Sequence, residues 1–271
     1  MISREPTIIQ SDNISVAWAR AFLALLKPGV DELIPLVVNL ARFPHGVPVE
    51  IPEIRRALDA RLATDEKMCP TATTANLIFP EKLWERYRDQ GRDVFFRRYL
   101  DVISPRLKQA DRRNSKGTYF ERLLSYGPNR INQLAHVINT RLSGNRRRSA
   151  LQVMVFDPVL DHSNSRYLGF PCLDHLTFAP DHHGALSLTA FYANHYIYDR
   201  AYGNYLGLCA LGRFVARELG LEFGQLTCVS GVATCGRGSM TKANARELGD
   251  MISAALPGTP NDRTAGTQDN G

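Results

Sequence analysis

The sequence predicts an α+β fold, a single domain over residues 1–256 followed by a disordered tail at 257–271. Three observations predict it. Amphipathic helical stretches and strand-like runs rich in β-branched residues both occur along the chain. No internal repeat and no linker divides the 271 residues. Hydrophobic residues make up 44%, enough for one sizeable core. The closing stretch PGTPNDRTAGTQDNG has no large apolar side chain to anchor it.

The elements follow in order. Residues 13–27 read as a helix, with Asn13 or Ser15 as cap and Trp18, Phe22 and Leu25 or Leu26 on one face; Pro28-Gly29 ends it. LIPLVVNLARF, 33–43, reads as a buried strand. Pro52 opens the helix PEIRRALDARL. CPTATTANLIF, 69–79, has no clear period. Residues 80–110 read as mainly helical, with Trp84, Tyr87, Phe95, Phe96, Tyr99 and Leu100 as core, and ADRRNSKG, 110–117, as a charged loop. A helix is expected over 128–142, starting at Pro128, with Ile131, Leu134, Val137, Ile138 and Leu142 on one stripe. SALQVMVFDP, GFPCLDHLTF and GALSLTAFYANHYIY read as strands, the last two joined by APDHHG. A long helix over 201–219 stops at Gly220, a strand follows over 224–234, and a last helix spans 240–256.

Charge and cysteine content narrow the function classes. The net charge is +6, with arginine clusters at 55–56, 97–98, 112–113 and 146–148. That balance suits nucleotide phosphates and acidic partners, or a solvated basic face. The zinc-finger and RNP signatures of nucleic-acid modules are absent, so nucleic acid is not the expected partner. No apolar run reaches membrane-spanning length, and the N-terminus lacks an apolar signal core, so a cytoplasmic, non-membrane protein is expected. The five cysteines are scattered and none form a CxxC pair, so neither a disulfide framework nor a metal site is expected.

The stretch from 118 to 235 carries a more specific signal. Tyr126-Gly127 precedes a helix, and Arg146–Arg148 precede a strand closing in Val155-Phe156-Asp157-Pro158. Pro171-Cys172 opens the next strand, Leu186-Ser187 another, and the pattern runs without a gap to Glu222-x-Gly224. This order resembles the thymidylate synthase family. The resemblance implies a mixed β-sheet packed with long helices, with Cys172 as the nucleophile and Asn204 as the reader of a uracil-type base. Tyr126 would then lie near the proton-transfer network, and Asn194 would take the place of a phosphate-binding serine. Arg147 and Arg148 lie two residues before the positions at which the family's partner-subunit arginines are expected. The resemblance further implies 5,10-methylenetetrahydrofolate as one-carbon donor, a pyrimidine nucleotide or nucleoside as substrate, and a homodimer formed through the sheet face.

The departures from the family pattern are equally specific. Ala193 replaces the arginine that touches phosphate and sulfur, Tyr196 the folate-contacting aspartate, and Thr234 and Gly236 the ribose-binding histidine and tyrosine. Leu173 stands where a histidine usually follows the nucleophile. Glu81 and Glu121 are the nearest candidates for the family's catalytic glutamate. Each proposed site residue also has a structural role open to it. Cys172 can pack as a small hydrophobe, Asn204 can cap the following helix, and His175 and His195 can pack within their strands. The sequence therefore supports two readings. One is a divergent transferase that methylates or hydroxymethylates pyrimidine C5. The other is an inactive dimer of the same fold that binds a nucleotide or serves as a structural partner.

Overall fold

The computed structural model describes residues 5–162, 164, 171–236 and 241–257. Seven strands in these residues form one mixed sheet. They are β1 (Thr7–Ser11), β2 (Glu32–Leu33), β3 (Leu36–Ala41), β4 (Gln152–Met154), β5 (Leu173–Pro180), β6 (Ala185–Tyr196) and β7 (Glu222–Thr234). The spatial order is β1-β3-β7-β6-β5-β4, with β2 beside β7. β1–β3 and β6–β7 are parallel, whereas β3–β7, β6–β5 and β5–β4 are antiparallel. The α+β reading therefore holds at the level of a mixed sheet with helices.

The sheet has two unlike faces. Leu36, Val38 and Leu40 alternate with half-buried Val37, Asn39 and Ala41, and Leu188, Ala190 and Tyr192 alternate with exposed Thr189, Phe191 and Ala193. The buried set lies beneath α1 (Ile14–Leu25) and α10 (Tyr202–Glu218), which also touch each other. On the other face Phe191 and Met154 remain 40% and 38% exposed. This two-period burial is what one-sided packing imposes on a strand. The buried strand expected over 33–43 is thus buried on one face, and Pro35 splits it into β2 and β3.

Local chemistry sets the helices. Asn13 caps α1, its side chain accepting from the N–H groups of Ser15 and Val16, and Trp18 donates its indole N–H to Ile197 O at 2.7 Å. α2 (Pro52–Leu62) starts at the expected proline. The unassigned segment forms α3 (Thr71–Ile78), whose small residues let it approach α10 closely. A Cβ on Gly203 or Gly207 of α10 would come within 2.6 Å of the Thr71 or Ala75 carbonyl. α4 (Glu81–Tyr87), α5 (Arg92–Arg98) and α6 (Ser104–Ala110) follow. Phe79, Trp84, Phe95, Phe120 and Phe214 form an aromatic cluster beneath them. Each such side chain contributes roughly 1.5–3 kcal/mol on burial.

α7 (Tyr119–Leu124) is capped by the Thr118 hydroxyl, which accepts from Glu121 N. α8 runs Gln133–Leu142 with Asn132 as cap. The expected start at Pro128 is thus corrected. Ile131 pairs with Tyr126 in an isolated antiparallel bridge instead and is 52% exposed, as is Leu142 at 56%. The strand expected over 149–158 shrinks to β4, because a tight turn occupies Arg148–Ala150 and the short α9 (Pro158–Asp161) follows. α11 (Lys242–Ala255), capped by Thr241, packs on α2. Residues 258–271, most of the expected disordered tail, lie outside the described residues. Among the described residues no helix is long and apolar enough to cross a membrane.

Candidate active site

Cys172 sits at the entry to β5, half-buried and outside any disulfide. Its backbone is anchored across the sheet: Ala193 N–H on β6 donates to Cys172 O at 3.0 Å. The strand bulges immediately afterwards, between Leu173 and His175. That bulge re-aims Asp174. The Asp174 carboxylate lies near enough to the Ala193 N–H to be influenced by it, and its backbone carbonyl accepts from Val155 N at 2.8 Å. Burial pushes the Asp174 carboxyl up to about 6; the Ala193 N–H acts against this and Asp161 with it. Cys172 and Asp174 thus converge on the backbone of Ala193.

The tyrosine beside Cys172 is Tyr119, the first residue of α7. Its hydroxyl lies within hydrogen-bonding reach of the backbone N–H groups of Cys172 and Leu173. Burial first, then the Cys172 thiol, raises this phenol, so it stays a neutral hydroxyl near neutrality. The signal for it in the sequence is Thr118-Tyr-Phe-Glu121, a capping box that starts a helix at Tyr119. Tyr126, the tyrosine singled out from the sequence, lies elsewhere. Its hydroxyl donates to Phe156 O at 2.8 Å, and it lines a small cavity of ≈ 70 Å³ with Arg122 and Asp157. There Arg122 forms a buried pair with Asp161, at 2.9 Å to Oδ1.

Beneath Cys172 lies a buried polar core. Tyr192 is fully buried, and no hydrogen bond among the described residues satisfies its hydroxyl. Its phenol is raised by burial, and its electrostatic neighbours are Cys228, Tyr119, Tyr205 and Cys172. The Tyr205 hydroxyl is likewise buried without a partner. Tyr192 stacks on His195 with ring centroids 4.1 Å apart. His195 Nε2 meets Asn204 Nδ2 at 3.0 Å, and Nδ1 meets Ser230 Oγ at 3.0 Å. Because the amide N–H donates to Nε2, the ring proton sits on Nδ1 and is donated to Ser230. Burial lowers the His195 pKa to about 3, so the ring is neutral.

Asn204 is therefore part of this core, 3% exposed, in the first turn of α10. It does not cap that helix: the cap position is Ala201, the last residue of a wide π-helical turn at Ile197–Ala201. Among the described residues no hydrogen bond uses Asn204 Oδ1. Asn194, on β6, has its Oδ1 buried without a partner. Arg147 and Arg148 are exposed before β4, with Arg147 Nε donating to Ser149 Oγ at 2.9 Å. His175 lies on the open sheet face, bonded to Gln152 at 3.0 Å.

The other positions that the resemblance singled out are engaged elsewhere. Glu81 pairs with Arg213 at 3.1 Å and lines a cavity of ≈ 250 Å³ with Trp84, Phe214 and Phe223. That cavity lies at the start of β7, the opposite end of the sheet from Cys172. Glu121 binds Lys108 at 2.6 Å and Ser104 at 2.5 Å. Gly236 has a specific cause: its φ is 146°, and a Cβ there would come within 1.9 Å of Asp199 Oδ1. A side chain at 236 would require Asp199 to shift and would be strained at this φ. No protein-family model matches the chain, and a search of curated proteins finds no match either.

Proposed function

We propose that the chain is a divergent thymidylate synthase-like transferase, acting in the cytoplasm on C5 of a uracil-type pyrimidine nucleotide or nucleoside. The observation that carries this reading is the setting of Cys172. It is a half-buried thiol at one end of the sheet, near the neutral Tyr119 hydroxyl, an unsatisfied buried Tyr192 hydroxyl, and an acid titrating close to neutrality. The Cys172 thiolate adds to C6 of the ring, and the displaced π pair moves through C5 to O4. C5 becomes nucleophilic and can accept a proton or a one-carbon unit. Loss of the original C5 proton and expulsion of the thiolate restore the ring. Asp174 is the group suited to moving that proton, since its pKa lies near the working pH. Asn204 Oδ1 can accept the N3–H of uracil, which cytosine lacks.

The described residues do not identify a cradle for 5,10-methylenetetrahydrofolate. Tyr196 stands at the position where the resemblance expects an aspartate, so the choice between methylation and hydroxymethylation is left open. We further propose a homodimer through the open sheet face, because Phe191 and Met154 are exposed there beside half-buried Val37 and Val229. The second reading, a nucleotide-binding or structural dimer without chemistry, is favoured by one observation: Asn204 Nδ2 is committed to His195 inside the core.

Ligand selectivity tests the substrate class. Uridine monophosphate should raise the unfolding temperature, and cytidine monophosphate should raise it less. Asn204→Asp should narrow or reverse that gap. Equal shifts with both nucleotides, or none with either, would contradict the uracil assignment.

A further inference from the structure

The cavity of ≈ 250 Å³ at the start of β7 is remote from Cys172 and has no part in the chemistry proposed there. Two helices and a turn wall it. α4 and α10 are joined beside it by Glu81 and Arg213, 3.1 Å apart. About one turn further along each helix, Glu85 and Arg217 line the same cavity. Their charges are opposite, yet neither side chain forms a hydrogen bond or ion pair with any described residue. The third wall is the turn Pro44–Gly46, with Val47 after it. His45 holds a left-handed backbone there, with φ 51°, a conformation that non-glycine residues adopt rarely and that clusters at binding sites. Phe43 fixes the turn by stacking on Phe223, ring centroids 5.4 Å apart. Trp84, Phe214 and Phe223 form the base, and Val47 is 44% exposed at the rim.

A concave surface with an aromatic base and a few convergent polar groups is the usual form of a small-molecule site. Its charges select the ligand. A purely anionic molecule would face Glu85 and Glu222, and a purely cationic one Arg88 and Arg217. An uncharged apolar molecule would leave Glu85 and Arg217 without partners. A dipolar molecule matches both. We propose that this cavity binds an α-amino acid with an apolar side chain, its carboxylate on Arg217, its ammonium group on Glu85 and its side chain toward Val47 and the aromatic base. Such a site is independent of the reading of Cys172 as a pyrimidine nucleophile.

The test is isothermal titration calorimetry of the full chain with L-phenylalanine, beside glycine and the two single-charge analogues 3-phenylpropionate and phenethylamine. The proteins are the parent, Arg217→Gln, Glu85→Gln and Cys172→Ala. The parent should bind phenylalanine saturably, about tenfold or more tighter than either analogue, the effect of one charged hydrogen bond, and should bind glycine more weakly still. Arg217→Gln should weaken phenylalanine and phenylpropionate about tenfold and leave phenethylamine unchanged. Glu85→Gln should weaken phenylalanine and phenethylamine and leave phenylpropionate unchanged. Cys172→Ala should bind phenylalanine as the parent does, whether or not Cys172 is a nucleophile. No saturable heat with phenylalanine up to about 10 mM overturns the proposal. So do analogues or glycine that bind as tightly as phenylalanine, unchanged phenylalanine affinity in either charge variant, or loss of binding in Cys172→Ala. Glu85 and Arg217 are exposed, so both variants should fold, and thermal unfolding checks this. If one fails to fold, the other carries the test.

Discussion

The Tyr119 hydroxyl, at the start of α7, lies close to the backbone N–H groups of Cys172 and Leu173 at the start of β5. Removing that oxygen takes a polar group away from these N–H groups. Tyr119→Phe is therefore expected to lower stability by about 1–2 kcal/mol, read as a fall in the urea midpoint. It should also slow chemistry at Cys172 by about tenfold or more, since the thiol loses its positioning. Unchanged stability and reactivity would remove Tyr119 from the site.

Asp174 and His195 tilt stability in opposite directions with pH. Folded Asp174 titrates at about 6 against an ordinary 3.8, so between these values the folded state binds the extra proton. Its contribution therefore falls as pH rises through that window. Folded His195 titrates at about 3 against an ordinary 6.5, so there the unfolded state binds the extra proton. Its contribution rises with pH over that range and is lost on acidification. In the parent the two slopes offset each other between about pH 4 and 6. Asp174→Asn unmasks the histidine limb. The variant should lose about 1–2 kcal/mol more than the parent between pH 6.5 and 4, measured by urea unfolding. Parallel pH curves would contradict the burial of Asp174.

Gly236→Ala tests the late departure from the family pattern. The new Cβ meets Asp199 Oδ1, and the φ of 146° is one that L side chains rarely adopt. The expected cost is about 1–3 kcal/mol in thermal or urea unfolding. A neutral outcome would show that Asp199 moves freely and that the position tolerates side chains.

The open sheet face gives a prediction about assembly. Sedimentation should show a dimer, and Phe191→Glu, placing a charge amid half-buried apolar positions, should shift it toward monomer at the same concentration. A monomeric parent would contradict the sheet-face dimer.

Elements whose information is local were legible in the sequence. α1 shows its cap at Asn13 and its stripe through Trp18 and Phe22, and β6 shows its alternation and its turn. β1 was not legible, because its five residues bury only Ile9 and its pairing comes from β3. α3 was obscure because its small residues answer to Gly203 and Gly207 on a helix far along the chain. For the candidate site, the sequence offered Pro171-Cys172 at the entry to β5. Its neighbours Tyr119 and Asp174 come from a helix start and a bulge. Only the tertiary fold brings them to Cys172.

The central claim is that Cys172 adds to a pyrimidine, and exchange of the C5 hydrogen tests it most directly. The protein is incubated in heavy water with uracil and cytosine nucleotides and nucleosides, beside Cys172→Ala, and deuterium in the base is read by mass spectrometry. The account predicts uptake at C5 of uridine monophosphate that is absent in Cys172→Ala. No uptake with any of these compounds, or equal uptake in Cys172→Ala, would contradict it.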